Sequence, residues 1–525
     1  MRTNHRWIWV VLILFTLPAL ILSLNTPFAL VDDYTDWRSL SILTSWSQFI
    51  GFWKQMLQGI GRYRPLYELT NAVNWYVLGP NPTLHHLERW LKKALIVVFW
   101  WQISKIWFSS LPQRKLFFWA FIGLFWFLPN CPDARLVPQE THMVMAWSWL
   151  TLWLSRWAIT NNFELARSGW GEYAFGFFAL IVLSWSKEPA VLLLLPTAGV
   201  LLVFNQTWSI KACLRYMGIA VIVGWTFYRI KVAQQNMSHG LNPFTGENVV
   251  RVWEAVTQYT LFWDYVKVCS VIVFVGLVGL RGASVDRDVN FVKLVNLLKP
   301  VNQRFFYASF CFVFSAIVIN LMGTPFLPQL FLRYYYPHTF FWTVGAVALL
   351  GFFLKKGILE KRWQRLTVVI ACTWFAVVHL NNYYYQYELQ YNAWNHSDRM
   401  LNDIKGIVGS KILAIDRLEV GEEESKIQSY FTEFLPHFYG KSLQAISVND
   451  QQFSNAQYLI SRLDTPLPGW RLVKQYRSAE WFRSSHWAGK ISRLLRWPRR
   501  LDFWQDGGAM RLVDYRWDLY ERDKN

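Results

Sequence analysis

The chain has 525 residues, 53% hydrophobic and 18% aromatic, with 32 Trp, 39 Phe and a net charge of +19. Long apolar stretches with few charges are the mark of membrane-spanning helices and argue against a string of soluble domains. Lys and Arg collect on the cytoplasmic loops of such proteins, so the basic balance reads as a topology signal and requires no nucleic-acid partner.

Arg2 and Arg6 precede an uncharged apolar run from Trp7 to Leu24, as in a signal peptide. Leu24-Asn25-Thr26-Pro27 is a poor cleavage site, so the run reads as a retained first helix with a cytoplasmic N-terminus. The stretch Val31–Trp37 follows, with Asp32, Asp33 and Asp36 at the outer lip of that helix. From Asp32 to about Asn81 the chain is polar and aromatic. Trp46, Phe49, Ile50, Trp53 and Leu57 stand at helical spacing there, which fits a helix lying in the membrane interface. Leu66 to Leu78 is too short to span and is interrupted by Glu68 and two Asn.

Further spans read as Leu87–Phe108, Leu116–Leu128, Thr141–Trp157, Tyr173–Trp185, Pro189–Phe204 and Cys213–Tyr228. Leu261–Leu280, Phe305–Met322, Tyr334–Leu354 and Leu366–Leu380 follow, which makes about eleven with the first. Charge supports this parity. Arg114-Lys115, Arg281–Arg304 and the cluster Lys355, Lys356, Lys361, Arg362, Arg365 fall on inner loops. Asp32, Asp33, Asp133, Glu140, Glu188 and Glu247 fall on outer ones. The C-terminus is then extracytoplasmic.

Of the five cysteines, Cys269, Cys311 and Cys372 lie in apolar segments, Cys213 begins one and Cys131 sits in an outer loop. No disulfide framework or metal-ligand spacing emerges. From about Asn381 hydropathy drops. Lys411–Ile415, Tyr458–Ser461 and Leu472–Tyr476 read as strands and Ser425–Phe434 as a helix, which predicts a small soluble α/β domain over 381–525. Near its end Trp487, Ile491, Leu494 and Leu495 share a helical face beside Lys490, Arg493, Arg496, Arg499 and Arg500. Such a helix either touches anionic headgroups or is simply solvated.

A series of short motifs occurs in order along residues 7 to 380. Asp32-Asp33-Tyr34 is followed by Arg62-Tyr63-Arg64-Pro65-Leu66, then Gly79-Pro80-Asn81-Pro82 leading into His85-His86. Ser186-Lys187-Glu188-Pro189 and Arg333-Tyr334-Tyr335-Tyr336-Pro337 come next. This pattern resembles the GT-C superfamily of polytopic glycosyltransferases that use polyprenyl-phosphate-linked sugars, including mannosyl- and arabinosyltransferases. Pro337 stands one residue early for that family's Arg-Tyr-x-Tyr-x-Pro-type segment. The resemblance implies an α-helical polytopic membrane domain over 1–380, whose first outer loop, 25–83, carries the Asp-Asp motif. It also implies transfer of a sugar from a polyprenyl-phosphate donor to a glycan, lipid or protein acceptor, inverting and on the extracytoplasmic face. The setting would be cell-envelope glycan biosynthesis in a bacterial inner membrane.

Such a transfer needs a base for the acceptor hydroxyl, for which Asp32 or Asp33 is the candidate. Cations must hold the departing lipid phosphate, and Arg64, Lys187 and Arg333 are the candidates. Tyr34, Arg62, Glu188 and Tyr336 are the further substrate contacts the resemblance implies. A divalent ion, Mg or Mn, stays open, with Asp133, Glu140 or Glu188 as a distant third carboxylate. Plainer readings stand beside each assignment: a solvated turn or helix cap for Asp32 and Asp33, and snorkelling for Arg62 and Arg64. Lys187 and Glu188 would equally close a helical hairpin as an ion pair, and Tyr334–Tyr336 would equally sit in an interfacial belt. For His85 and His86 the expectation is a structural role at the helix start. Two other functions compete with the enzyme: a transporter or flippase for a lipid-linked glycan, and a non-catalytic membrane assembly subunit.

Overall fold

The computed structural model describes residues 6–26, 45–58, 63–107, 138–161, 164–186, 208–235, 399–416, 444–448, 451–461, 468–477 and 516–523, with isolated positions between them. These residues are mostly helical, with one small sheet. The expected spans Leu116–Leu128, Pro189–Phe204, Leu261–Leu280, Phe305–Met322, Tyr334–Leu354 and Leu366–Leu380 lie wholly or largely outside them, as do the helix Ser425–Phe434 and the basic helix near Trp487.

Seven α-helices are described from end to end between residues 6 and 235. They are α1 (Arg6–Leu24), α2 (Trp46–Gln58), α3 (Pro65–Leu78), α4 (Pro82–Trp107), α5 (Pro138–Thr160), α6 (Trp170–Ser184) and α7 (Ile210–Gln235), with a 3-10 turn at Leu165–Arg167 before α6. Local chemistry sets several ends. Pro65 and Pro82 occupy first-turn positions, where a missing N–H costs nothing. Gly79 ends α3 with φ +60°, and its N–H returns to the Trp75 carbonyl at 2.9 Å. Only a residue without Cβ takes that left-handed turn without strain. Asn81 Oδ1 then accepts the Leu84 N–H at 3.3 Å and caps α4.

The chain divides into two compact units. One comprises Met1–Phe49, Ala72–Glu88 and Tyr384–Asn525; the other comprises Ile50–Asn71 and Arg89–Tyr383. In the first, Thr83 Oγ1 donates to the Leu24 carbonyl at 2.9 Å and His86 Nε2 pairs with the Thr26 carbonyl at 3.0 Å, which ties the end of α1 to the start of α4. His85 Nε2 pairs with the Gly79 carbonyl at 2.9 Å. Both histidines are buried at the helix start and spend a ring nitrogen on backbone.

The same unit holds a five-stranded sheet of order β2-β1-β3-β5-β4, from β1 (Leu413–Ile415), β2 (Ala445–Ser447), β3 (Tyr458–Ser461), β4 (Trp470–Arg477) and β5 (Arg516–Arg522). β1 runs parallel to β2 and β3, while β5 is antiparallel to β3 and β4. A bulge interrupts β4 between Leu472 and Lys474. Ala414, Ile446, Ala456, Leu459 and Tyr520 form its core, with Phe453 and Trp470 against it. Residues 399–408 form a helix before β1. Asp403 on it receives hydrogen bonds from Lys474 Nζ and Tyr476 Oη of β4, both 2.6 Å long.

In the second unit α4 and α5 run in the same direction. Trp100 Nε1 donates to Ser148 Oγ at 3.1 Å and Trp107 Nε1 to Ser155 Oγ at 2.9 Å, so both partners advance together along the two helices. α6 lies against α5, where Gly176 admits the Trp153 indole so closely that a Cβ would overlap it. α6 and α7 are also parallel: Trp170 meets Arg215, and one turn on Tyr173 meets Gly218.

Two of these helices carry exposed apolar ladders beside buried polar residues. On α7 Ile210, Leu214, Met217, Val221, Trp225 and Tyr228 make one exposed ladder, while Arg215 and Thr226 are buried. On α4 Leu84, Leu87, Leu91, Leu95 and Val98 are exposed, while Arg89, Lys92 and Lys93 are buried. Spacings of three and four place each ladder on a single face. Among the described residues one helix, Ile210–Val232, is long and apolar enough to cross a membrane.

Candidate functional site

The site is built where the segment before α3 meets the end of α6. The N–H groups of Leu66 and Tyr67, in the first turn of α3, donate to the Trp185 carbonyl at 3.1 and 3.4 Å. Trp185 is the residue that stops α6, and its own N–H returns to the Ile181 carbonyl at 3.0 Å. An unsatisfied helix C-terminus thus serves the unsatisfied N–H groups of another helix. The consequence for function is one of placement. Leu66, which closes the Arg62–Leu66 motif, is thereby bonded to Trp185, the residue before Ser186, more than a hundred positions further along the chain.

Around this joint the side chains are polar and enclosed. Tyr63 and Tyr67 are fully buried. Arg64 Nε lies 2.5 Å from Glu68 Oε1, one turn along α3, and its guanidinium stands 5.2 Å from the centre of the Tyr67 ring. The carboxylate holds one edge of the guanidinium and orients it, much as an outer-shell group orients a ligand. Burial pushes the Tyr63 phenol above its ordinary range, while the Trp225 indole and the Arg229 charge pull it back. Tyr63 therefore stays a neutral hydroxyl between two arginines, able to donate to an anion.

Arg229, on α7, belongs to the same constellation. Its guanidinium lies 5.6 Å from the Trp225 ring centre, and its Nε and Nη2 are buried with no hydrogen-bond partner among the described residues. Those two nitrogens share one edge of the guanidinium, the edge that grips a phosphate or carboxylate side-on through two oxygens. The Trp185 indole N–H is a further buried donor without an acceptor there. Buried donors left unsatisfied cost about 1–3 kcal/mol each. The joint therefore offers donors and positive charge to an incoming oxyanion.

Of the residues assigned from sequence to catalysis, phosphate or substrate, Arg64 is the one the structure describes, while Glu140, a distant third carboxylate, falls in the first turn of α5. Asp32, Asp33, Tyr34, Arg62, Lys187, Glu188, Arg333 and Tyr336 lie outside the described residues. Arg64 has a carboxylate partner in Glu68, which sequence reading treated only as an interruption of an apolar run. Arg229 was missed because the expected span stopped at Tyr228, whereas α7 continues to Gln235. Among the described residues no group of three His, Cys, Asp or Glu stands where it would hold a metal ion. No protein-family model, curated protein or solved structure matches the chain.

Proposed function

We propose that the chain is a polytopic membrane glycosyltransferase of GT-C type, with about eleven spans. It takes a sugar from a polyprenyl-phosphate donor on the extracytoplasmic face and passes it to a glycan, lipid or protein acceptor. The observation that carries this reading is the bonding of Leu66 and Tyr67 to Trp185, in a joint that also holds Arg64, Tyr63 and the unpartnered edge of Arg229. A leaving lipid phosphate keeps its charge after the sugar departs, and guanidinium edges in an enclosed site are the groups that stabilise it. Arg64, Lys187, Arg229 and Arg333 then hold phosphate, and Asp32 or Asp33 deprotonates the acceptor.

Two further observations support the membrane setting. The exposed apolar ladders of α4 and α7 face outward where a soluble protein would place charge. With an inner N-terminus, the second and fourth spans both run inward and the fifth and seventh both run outward. The parallel pairs α4 with α5 and α6 with α7 have that sense.

The test is transfer by Asp32→Asn and Asp33→Asn in native membranes supplied with polyprenyl-phosphate sugar, with protein abundance matched. Loss of transfer in one of them identifies the base. Full activity in both removes the enzyme reading.

One observation favours a second reading, a transporter of an anionic lipid-linked substrate. α4 buries Arg89, Lys92 and Lys93, and α5 buries His142, within segments read as spans. Ionisable groups at that depth line transport paths in other membrane proteins. Translocation of a fluorescent lipid phosphate in proteoliposomes, lost in Lys92→Gln and kept in both aspartate variants, would favour it.

A further inference from the structure

At the other end of the same helices a second set of polar groups is enclosed. Asn161, just after α5, donates from Nδ2 to Ser168 Oγ at 2.9 Å and to Glu172 Oε2 at 2.8 Å. Arg156 Nε lies 3.5 Å from the other oxygen of Glu172, and Arg167 Nε lies 2.6 Å from Glu164 Oε2. Glu172 Oε1 nevertheless makes no hydrogen bond among the described residues, and the Glu172 charge acts on Arg215 across the site. The third arginine, Arg215, has neither glutamate as an ion-pair partner.

Arg215 is 1% exposed. Its Nη1 donates to the Leu165 carbonyl, and its guanidinium lies 5.0 and 5.1 Å from the ring centres of Trp170 and Tyr173. Tyr173 Oη donates to the Arg215 carbonyl at 3.0 Å, which fixes the height of α6 against α7. The remaining Arg215 edge, Nε and Nη2, is buried without a hydrogen-bond partner among the described residues. Two helix N-termini begin beside it, those of α6 at Trp170 and α7 at Ile210, and both carry partial positive charge. Among the described residues Arg156, Arg167, Lys211 and Arg215 stand against Glu164 and Glu172 at this end.

We propose that Arg215 is the centre of an oxyanion site that takes a phosphate group, supplied by the headgroup of a membrane lipid. The side-on edge matches two phosphate oxygens. The rim argues for lipid as the source. Trp170 and Trp208 are exposed at 70% and 58%, and Ile210 at 82%. Tryptophans beside an apolar ladder mark headgroup level on a spanning helix. Trp170 lies over the guanidinium and is largely exposed, so one wall of the site faces the surroundings of the protein. Arg215 and Arg229 are fourteen residues apart on α7, roughly 21 Å at 1.5 Å per residue, so this is a second site and not an extension of the first. The proposal rests on the membrane-span reading but not on catalysis.

The experiment uses the full chain purified in detergent, wild type and Arg215→Gln, with native mass spectrometry and thermal stability as readouts. Phosphatidylglycerol is added in one arm and inorganic phosphate in the other. Retained phosphatidylglycerol adducts that fall about tenfold in Arg215→Gln support the site and its lipid source. Stabilisation by inorganic phosphate alone, lost in Arg215→Gln, keeps the oxyanion site but makes the source soluble. Equal binding of both probes by both proteins overturns the proposal. Should Arg215→Gln not accumulate, Arg215→Lys keeps the charge and lacks the two-nitrogen edge, and adducts at the wild-type level there overturn it equally. Alkaline carbonate extraction of membranes tests the span reading by itself: release of the chain sinks that reading whatever the lipid result.

Discussion

Asp403→Ala should loosen β4 by an amount the structure allows one to work out. Asp403 Oδ2 accepts two hydrogen bonds of 2.6 Å, one from Tyr476 Oη, which is buried, and one from Lys474 Nζ, which is about half exposed. Removing the carboxylate leaves a buried hydroxyl without its acceptor, about 1–3 kcal/mol. The Lys474 pair is screened by solvent and contributes at most about 1 kcal/mol. A loss of about 2 kcal/mol raises the local opening equilibrium roughly thirtyfold. Hydrogen exchange of the amides in Trp470–Arg477, measured on the full chain in detergent at neutral pH, should accelerate by that factor. Lys474→Ala should accelerate it less than about fivefold, and Asp403→Ala with Tyr476→Phe should recover part of the protection. Exchange in Asp403→Ala within twofold of wild type, or equal effects of the two single variants, would refute the reasoning.

The same pair fixes a pH window. Burial pushes the Asp403 carboxyl up, but the Lys474 and Tyr476 hydrogen bonds and the Lys474 charge outweigh it and hold it below its ordinary range. Its contribution is therefore complete above about pH 4 and is lost as pH falls through the depressed value. Burial, then the bond to Asp403 and its charge, push the Tyr476 phenol well above the usual range. That contribution is complete below about pH 10 and is lost on further alkalinisation. Protection of β4 should be flat between these limits.

Further predictions concern the helical unit. Gly176→Ala places a methyl into the Trp153 indole, and overpacking of this kind costs about 1–3 kcal/mol, so the thermal midpoint in detergent should fall. An unchanged midpoint would show that α5 and α6 are not so closely packed. Arg229→Gln should raise KM for the lipid-linked donor roughly tenfold to a hundredfold, with Arg229→Lys intermediate. Unaltered KM in both variants removes Arg229 from the phosphate site. Cys213 is exposed near the start of α7. With Cys131, Cys269, Cys311 and Cys372 replaced by Ala, an impermeant maleimide should label it in inside-out vesicles and spare it in right-side-out ones. The opposite pattern inverts the proposed orientation.

The helices were the legible part of the fold, because a run of apolar residues announces itself whatever packs on it. Trp7–Leu24 became α1, the amphipathic stretch around Trp53 became α2, and Leu66–Leu78 became a helix too short to span. Inward faces were harder to read. Arg89, Lys92 and Lys93 look in sequence like a charged entry to a span, and only burial shows that they turn inward together. β2 is three residues long, too short for any period to show. β5 reads Arg-Trp-Asp-Leu-Tyr-Glu-Arg, with Trp517, Asp518, Leu519 and Tyr520 all buried, so both faces are covered and alternation of polar and apolar residues is lost. In the site, motif order was legible, but the contact between the first turn of α3 and Trp185 was not, since it runs through backbone groups that carry no sequence signature. Arg215 and Arg229 escaped notice for a related reason: single arginines near span ends are ordinary until their free edges are seen.

The bulge in β4 has a bearing on how copies of the chain can meet. Among the described residues β4 is the last strand on one side of the sheet, and Leu472 and Val473 are exposed there. Such an edge is a template for strand exchange between neighbouring molecules. Here the register breaks between Leu472 and Lys474, and Arg471 and Lys474 flank the apolar pair. A second identical edge would meet a kinked ladder flanked by charged pairs, Arg471 with Glu521 and Lys474 with Asp403, an arrangement that disfavours edge-to-edge association.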